Sequence, residues 1–408
     1  MRAVIHNSYM STIRNSIAAL EDEITGYRRA LHENPGTAYE EFFASDLVAE
    51  KLTEWGITFE RGIAQTGIVA TIKGQTNKSG RAIALRADMD ALDIVEAENK
   101  DHRSKIEGKM HGCGHDGHTA CLLGAAKYLS ENNAFDGTVH LIFQPAEEGH
   151  GGAYKMLDEG LLSKFPFDAV FALHNWPSLP KGTIALRSGP IMAAADRFDI
   201  TIKGAGGHAA YPERCLDPII IGSHIVQALQ TLISRSIDPQ QPAVISITNF
   251  HAGTGAFNVI PDEAHLNGTL RSFDPKIRQK LTERITQICE DTAKLYGATA
   301  ECVFDEGGYD PTINSEEEST FCAEIARSIV GADNVNESIN PSMGAEDFGA
   351  MLAQRPGCYI WMGQGEADPQ SNHNQGLHTP RYDFNDSIIP QAIEYWARVV
   401  ERYLPLER

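Results

Sequence analysis

Four short stretches carry apolar residues at consecutive rather than alternating positions. They are AIALRADMDAL starting at Ala82, Thr138 to Phe143, Ala169 to Leu173, and GCYIWMGQ around Tyr359. A strand with one wet face alternates apolar and polar residues, so these stretches predict strands buried on both faces. Helical patterns lie between and before them. Residues 11–32 place Ile13, Ile17, Leu20, Ile24, Tyr27 and Leu31 at helical spacing, and Asn34-Pro35-Gly36 stops the pattern. Residues 40–55 predict a second helix ended by Gly56, and 117–130 a third, with Asp116 as its N-cap. Strands buried on both faces and separated by helices require an α/β fold. The expected form is a mostly parallel sheet covered by helices on both sides.

The middle of the chain follows another period. RFDITIKGA alternates Phe198, Ile200 and Ile202, so this strand has one buried and one wet face. A helix is expected at 217–235, strands at 243–250 and 263–271, a helix at 275–296 and a strand at 298–304. That order, β-α-β-β-α-β, is ferredoxin-like. It predicts a small domain at 190–310 inserted into a larger one made of 1–189 and 311–408. A length of 408 residues suits two hydrophobic cores better than one.

Charge and cysteine usage narrow the classes of function. Thirty-five basic against 55 acidic side chains give a formal charge of −20, which repels nucleic acid and anionic membrane surfaces. The seven cysteines are odd in number and irregularly spaced, which is not a disulfide framework. The first residues carry no apolar run before a small-residue cleavage site, and the uncharged stretch 218–234 contains His224, Gln227 and Gln230. The expectation is a cytoplasmic protein that spans no membrane.

Donor-bearing residues recur where the predicted strands end. Asp88 and Asp90 follow the first strand, Glu147 and Glu148 the second, and His174 the third. In open α/β sheets ligands bind at the carboxyl ends of strands. The stretch MHGCGHDGHTA adds Cys113 and His115 on a loop before a helix, and LHTPRYDFND adds His378. Taken singly each has an ordinary explanation. A histidine after a strand is commonly structural, and PAEEG alone is a solvated acidic turn. Several cysteine, histidine and carboxylate donors at successive strand ends of one domain point instead to a divalent-metal site.

The motifs RADMDAL, GKMHGCGHDGHTA, FQPAEEGHGGA, ALHNWP, GGHAAYP, NVIPDEAHLNGTLR, AEDF and LHTPRYDFND occur in this order. Together they resemble the di-metal amidohydrolases of the aminoacylase and carboxypeptidase-G superfamily, in the branch of hippurate hydrolases and auxin-conjugate hydrolases. The resemblance implies that Cys113, His115, Glu148, His174 and His378 hold two divalent metals per subunit, of which Zn, Mn, Ni and Co all suit mixed N/O/S donors. It implies Glu147 as general base. His208 corresponds to a lid-domain histidine that reaches the active site, commonly across a dimer interface. Asn258 and Arg271 correspond to contacts with the substrate and its carboxylate. Asp90 is expected to orient a ligand rather than to bind metal, and His111 and His118 to serve structure.

The implied activity is hydrolysis of the amide bond of an N-acyl amino acid by a homodimer or higher homo-oligomer joined through the inserted lid. The chemistry accords with these residue types. Amide hydrolysis at neutral pH needs an activated water, a polarised carbonyl and a carboxylate that carries the proton to the leaving nitrogen. An arginine in an acidic protein suits a free carboxylate. A dipeptidase or carboxypeptidase would use the same metals, and a catalytically silent, metal-stabilised binding protein would keep the ligands alone. The chain departs from the family pattern at Asp93, where proline is usual, and at Gly112, where alanine is common. Its segment 96–107 is unusually charged, which leaves the acyl preference open.

Overall fold

The computed structural model describes residues 14–98 and 100–406. The chain divides into two compact units. One comprises the chain up to Ile191, Ile313–Asn340 and the chain from Asp347 onward; the other comprises Met192–Thr312 with Pro341–Glu346.

The first unit is built on an eight-stranded sheet. Its strands lie in the order Thr58–Ile63, Gly67–Lys73, Thr138–Gln144, Ala82–Asp88, Ala169–Pro180, Gly357–Gly365, Ile184–Ala185 and Val335–Asn336. The sheet is mixed, which corrects the expectation of a mostly parallel one. The central strands Thr138–Gln144, Ala82–Asp88, Ala169–Pro180 and Gly357–Gly365 run parallel to one another, as do the short strands Ile184–Ala185 and Val335–Asn336. Thr58–Ile63 and Gly67–Lys73 are joined by three residues, too few for a crossover, so they pair antiparallel. Gly67–Lys73 is also antiparallel to Thr138–Gln144. The four parallel strands are the two-sided apolar runs seen in the sequence. Ile83, Leu85, Leu141, Phe143 and Phe171 from these strands share a core with Leu122, Leu129, Ile393 and Trp396 from the helices.

Two helical expectations change. The pattern over 11–32 begins outside the described residues and splits into Asn15–Ala18 and Glu21–Glu33. Between them the backbone tightens, with Leu20 N–H donating to Ile17 O at 3.0 Å. Asp116 is not an N-cap. The helix is His115–Glu131, capped by Gly114 in the left-handed region at φ 97°. Asp116 lies in its first turn, where the helix dipole favours a carboxylate. Its side chain is drawn inward by two buried groups, accepting from His32 Nδ1 at 2.7 Å and Arg28 Nη1 at 3.4 Å. Arg28, itself fully buried, also pairs with Asp386 at 2.7 Å.

The second unit holds a four-stranded antiparallel sheet in the order Ala243–Ala252, Glu263–Ser272, Ala194–Lys203 and Thr299–Phe304. Helices Pro218–Ser236 and Pro275–Leu295 each start with proline in the first turn after an aspartate N-cap, Asp217 and Asp274. The elements follow one another as strand, helix, strand, strand, helix, strand. Phe198, Ile200 and Ile202 form the dry face and pack with Ile221, Ile225, Leu229, Leu281 and Ile285. Among the described residues no helix is long and apolar enough to cross a membrane.

Candidate metal centre

The register of the parallel strands sets the level of the site. Asp88 pairs with Gln144, so the strands before Asp90 and before Glu147 end side by side. The strand expected to stop at Leu173 runs on to Pro180. It loses the Ala82–Asp88 strand as a neighbour after Ala172 but stays paired with Gly357–Gly365, and Trp176 stacks on Trp361 at 3.9 Å. His174 therefore stands within a strand, two residues past its last pairing with the Ala82–Asp88 strand.

Three turns bring up the other donors. Gly114 must be glycine, since a Cβ there would lie 2.3 Å from Asn175 Oδ1 and 2.4 Å from Tyr382 Oη. After Pro145 the chain enters the left-handed region at Ala146, with φ 56°. This conformation costs about 1–2 kcal/mol for an L-residue with a side chain. His378 is also left-handed at φ 62°, and its N–H donates to Gly112 O at 2.7 Å, tying its loop to that of Cys113. Non-glycine residues held in this region gather at functional sites.

The structure brings the five expected ligands together as two triples that share Cys113. Cys113, His115 and His174 form one, and Cys113, Glu148 and His378 the other; within each, donor atoms lie within 4.8 Å of one another. One of these atoms, His115 Nε2, is buried and has no hydrogen-bond partner among the described residues; Glu148 Oε1 is also buried and faces His378 Nε2 at 3.1 Å. Leaving such a group unsatisfied costs about 1–3 kcal/mol. A divalent cation removes that cost, so the donor set fits one. Asp88, His115 and His118 are also close, but His118 is spent on hydrogen bonds. Its Nδ1 donates to Asp88 Oδ1 at 2.6 Å, and its Nε2 lies 2.8 Å from Asn175 Oδ1 and 3.0 Å from Asn175 N.

The neighbours of the donors leave the right lone pairs free. His174 Nδ1 donates to Asn175 O at 2.6 Å, which leaves Nε2 unprotonated 3.4 Å from Cys113 Sγ. Burial, followed by the charges of His118 and His115, holds His174 well below the usual histidine range, in the neutral form a ligand needs. Asp90 has the expected orienting place. Its Oδ1 accepts from His115 Nδ1 at 3.0 Å and its Oδ2 from Glu148 N at 2.9 Å. Burial alone would lower His115, but Asp88, Asp90 and Glu148 outweigh it and push it up to about 10. Burial, then Glu148, Glu147 and Asp88, raises the Cys113 thiol well above its usual range. A bound divalent cation would take the place of the His115 and Cys113 protons in this cluster. Glu147 is buried beside His115 and Glu148.

His208, Asn258 and Arg271 lie in the second unit. Gly207–His208 pairs with Val259–Ile260, and Ala209 N donates to Asn258 O at 3.0 Å, so His208 and Asn258 are neighbours. Arg271 is half-buried on the face opposite Leu266 and Leu270. The nearby carboxylate Asp274 caps a helix, accepting from Lys276 N at 2.7 Å. Among the described residues Arg271 has no ion pair; its Nε donates to Thr269 Oγ1 at 3.2 Å. Burial and then the charge of Arg197 lower its proton affinity. Sequence reasoning missed the part played by Asn175, whose only local signal is its place directly after His174.

Buried cysteine, histidine and carboxylate donors at the strand ends of an α/β sheet define a divalent-metal hydrolase. Residues 84–402 match the peptidase family M20/M25/M40, and the chain belongs to this family. The hippurate hydrolase of Campylobacter jejuni is 39% identical over 389 residues, 95% of this chain and 98% of that protein. Thermostable carboxypeptidase 2 of Saccharolobus solfataricus is 43% identical over 355 residues, 86% and 88% of the two chains. The crystal structure of the Bacillus subtilis YXEP protein, a dinuclear metal-binding peptidase of the M20 family, superposes with a TM-score of 0.81 at 35% identity. The match covers 95% of this chain and 99% of that one. The chain is a metal-dependent amidohydrolase, which sets aside a catalytically silent binding protein.

Because Cys113 is common to both triples, Cys113→Ser is expected to lower metal content in both positions while the melting temperature of the metal-stripped protein stays within a few degrees of the parent. Elemental analysis of the purified variant checks this. Unchanged metal content would remove Cys113 from the ligand set.

Proposed function

We propose that the chain hydrolyses the amide bond of N-acyl amino acids, releasing a carboxylic acid and a free amino acid. In this reading two divalent metals are held by Cys113, His115, Glu148, His174 and His378. The observation that carries it is the pair of donor triples joined at Cys113, with Glu147 buried beside them. Similarity to a hippurate hydrolase over nearly the whole of both chains supports the substrate class. The domains are 1–189 with 311–408 for catalysis and 190–310 for the ferredoxin-like lid.

When bound, the metals supply Lewis acidity to the attacking water and the scissile carbonyl. The other tasks fall to the chain. Glu147 takes the proton of the water and delivers it to the leaving nitrogen. Asp90 holds His115 and the Glu148 amide in place. His208 donates to the oxygen that gains charge as the tetrahedral intermediate forms. Asn258 binds the substrate, and Arg271, half-buried between Arg197 and Asp196 without an ion pair of its own, takes the substrate carboxylate. Zn, Mn, Ni and Co each suit the donor set. The protein acts in the cytoplasm as a homodimer joined through the lid, with His208 serving the site of the partner. A second reading, cleavage of short peptides from the carboxyl end, is favoured by the 43% identity to a carboxypeptidase. It uses the same metals and the same arginine. Elemental analysis combined with a panel of N-acetyl, N-benzoyl and indole-acetyl amino acids against unblocked dipeptides tests the two readings together.

Glu147→Gln is expected to keep its metal and lose about 10²–10⁴-fold in turnover, the usual cost of a missing general base. Turnover close to that of the parent would exclude Glu147 from proton transfer. Arg271→Ala is expected to lower kcat/KM for N-acyl amino acids by about 2–4 kcal/mol, the scale for removing one partner of a desolvated charge pair. The corresponding amino amides should be poor substrates for the parent and lose little more in the variant. Equal losses for acid and amide in this two-by-two comparison would show that Arg271 supports structure. Sedimentation is expected to find a dimer at working concentration; monomer alone would confine His208 to its own chain.

A further inference from the structure

Glu41 is a carboxylate with no exposure to solvent, placed 105 residues before the turn that carries Glu147. It receives three hydrogen bonds and faces no cation at hydrogen-bond distance among the described residues. Its Oε1 accepts from Tyr39 N at 2.9 Å and from Ala146 N at 2.9 Å, and its Oε2 accepts from Thr66 Oγ1 at 2.5 Å. Ala146 is the left-handed residue directly before Glu147. The far side of the turn is closed by its own backbone. Gly152 N donates to Ala146 O at 3.0 Å, and a Cβ at Gly152 would lie 1.7 Å from Pro145 O. Glu41 is thus the tie from a distant segment to the strained amide.

We propose that Glu41 is a positioning residue that aims Glu147 by accepting the Ala146 N–H, and that it works through the reach of its oxygen rather than through its charge. This rests on the reading of Glu147 as general base. Burial, with Asp90 nearby, pushes Glu41 up to about 7, against the hydrogen bond from Thr66. Charge is therefore costly at this position, whereas an acceptor is required. A glutamine has the same reach: its carbonyl oxygen can face both amides while its NH2 faces Thr66, whose hydroxyl can turn to accept. An aspartate keeps the charge but falls one methylene short. The next residue, Glu148, has a separate tie, since its own N–H is held by Asp90 Oδ2 at 2.9 Å. Loss of the Glu41 bond should therefore misplace Glu147 and leave the metal donors in position.

The experiment compares Glu41→Gln, Glu41→Asp and the double variant Glu41→Asp with Ala146→Gly, measuring kcat, KM, metal content and melting temperature on the metal-loaded enzyme. Glu41→Gln should stay within about threefold of the parent. Glu41→Asp should lose about 10²-fold in kcat, the scale of a misplacement near 1 Å, with KM and metal content unchanged. Glycine adopts the left-handed conformation unaided, so Ala146→Gly should restore about tenfold of that loss. The proposal is overturned if Glu41→Gln loses as much as Glu41→Asp, because charge then matters. It is also overturned if Glu41→Asp keeps kcat, or if its loss follows metal content or melting temperature. Glu147→Gln in the same assays separates the two readings. An active Glu147→Gln removes the general base, whereas an inactive Glu147→Gln beside a fully active Glu41→Asp removes only the positioning.

Discussion

Thiol, imidazole and carboxylate groups buried together at the ends of parallel strands need a cation. The rest of the larger unit is arranged around that need. Glu148 Oε1 and His115 Nε2 are shut away from solvent; His115 Nε2 has no hydrogen-bond partner among the described residues, and Glu148 Oε1 lies 3.1 Å from His378 Nε2. Burial and three nearby carboxylates hold the Cys113 thiol protonated, and the same kind of surroundings push His115 up to about 10. Taken as a folded chain alone this cluster is costly, because buried polar groups without partners oppose folding. Taken as a binding site it is stored affinity, since cations held by the two triples would pair with these donors and displace the thiol proton.

The surrounding residues decide which atom of each donor faces inward. Asn175 works in three directions: its carbonyl takes the Nδ1 proton of His174, its amide N–H occupies His118, and its side-chain Nδ2 donates to Tyr382 Oη at 2.7 Å. Asp88 is neutralised by Arg86 at 2.7 Å and by His118, so it is committed to hydrogen bonds. Asp347 accepts from Arg86, from Gln144 Nε2 and from Ala153 N at 2.8 Å, which locks the end of one strand to the turn beyond the next. Most of these hydrogen bonds, such as Asn175 to Tyr382 and Asp347 to Arg86, join segments far apart in the chain. Breaking one partner of a buried charged set costs about 3–5 kcal/mol, so the geometry of the donors is rigidly supported.

The sequence foretold the donors better than their supports. Cysteine and histidine separated by glycine, and paired glutamates after a buried strand, are local patterns with few other uses. Gly114 and Gly152 could be read the same way in retrospect, because only glycine tolerates those contacts. Glu41 carried no such mark. In the sequence it is one of two acidic residues opening an amphipathic helix, indistinguishable from its exposed neighbour Glu40. Asp116 misled for a related reason. Its position suited a helix cap, but two buried hydrogen-bond donors from an earlier helix drew its side chain inward.

Strand and helix positions were legible because periodicity records how each residue meets water, one position at a time. The consecutive apolar runs of the first unit and the alternation of Phe198, Ile200 and Ile202 in the second are of that kind, and both placed their elements within a few residues. The direction of pairing was not legible. Whether Gly67–Lys73 runs with or against Thr138–Gln144 leaves the same side chains buried, so the pattern is identical and only the connections and the packed sheet choose. The same holds for the strand through His174, which continues because Gly357–Gly365, nearly two hundred residues later, keeps pairing with it. The sharing of Cys113 between two donor triples is likewise a tertiary fact. It depends on three turns and a strand arriving at one level of the sheet, and no stretch of sequence contains more than two of those donors.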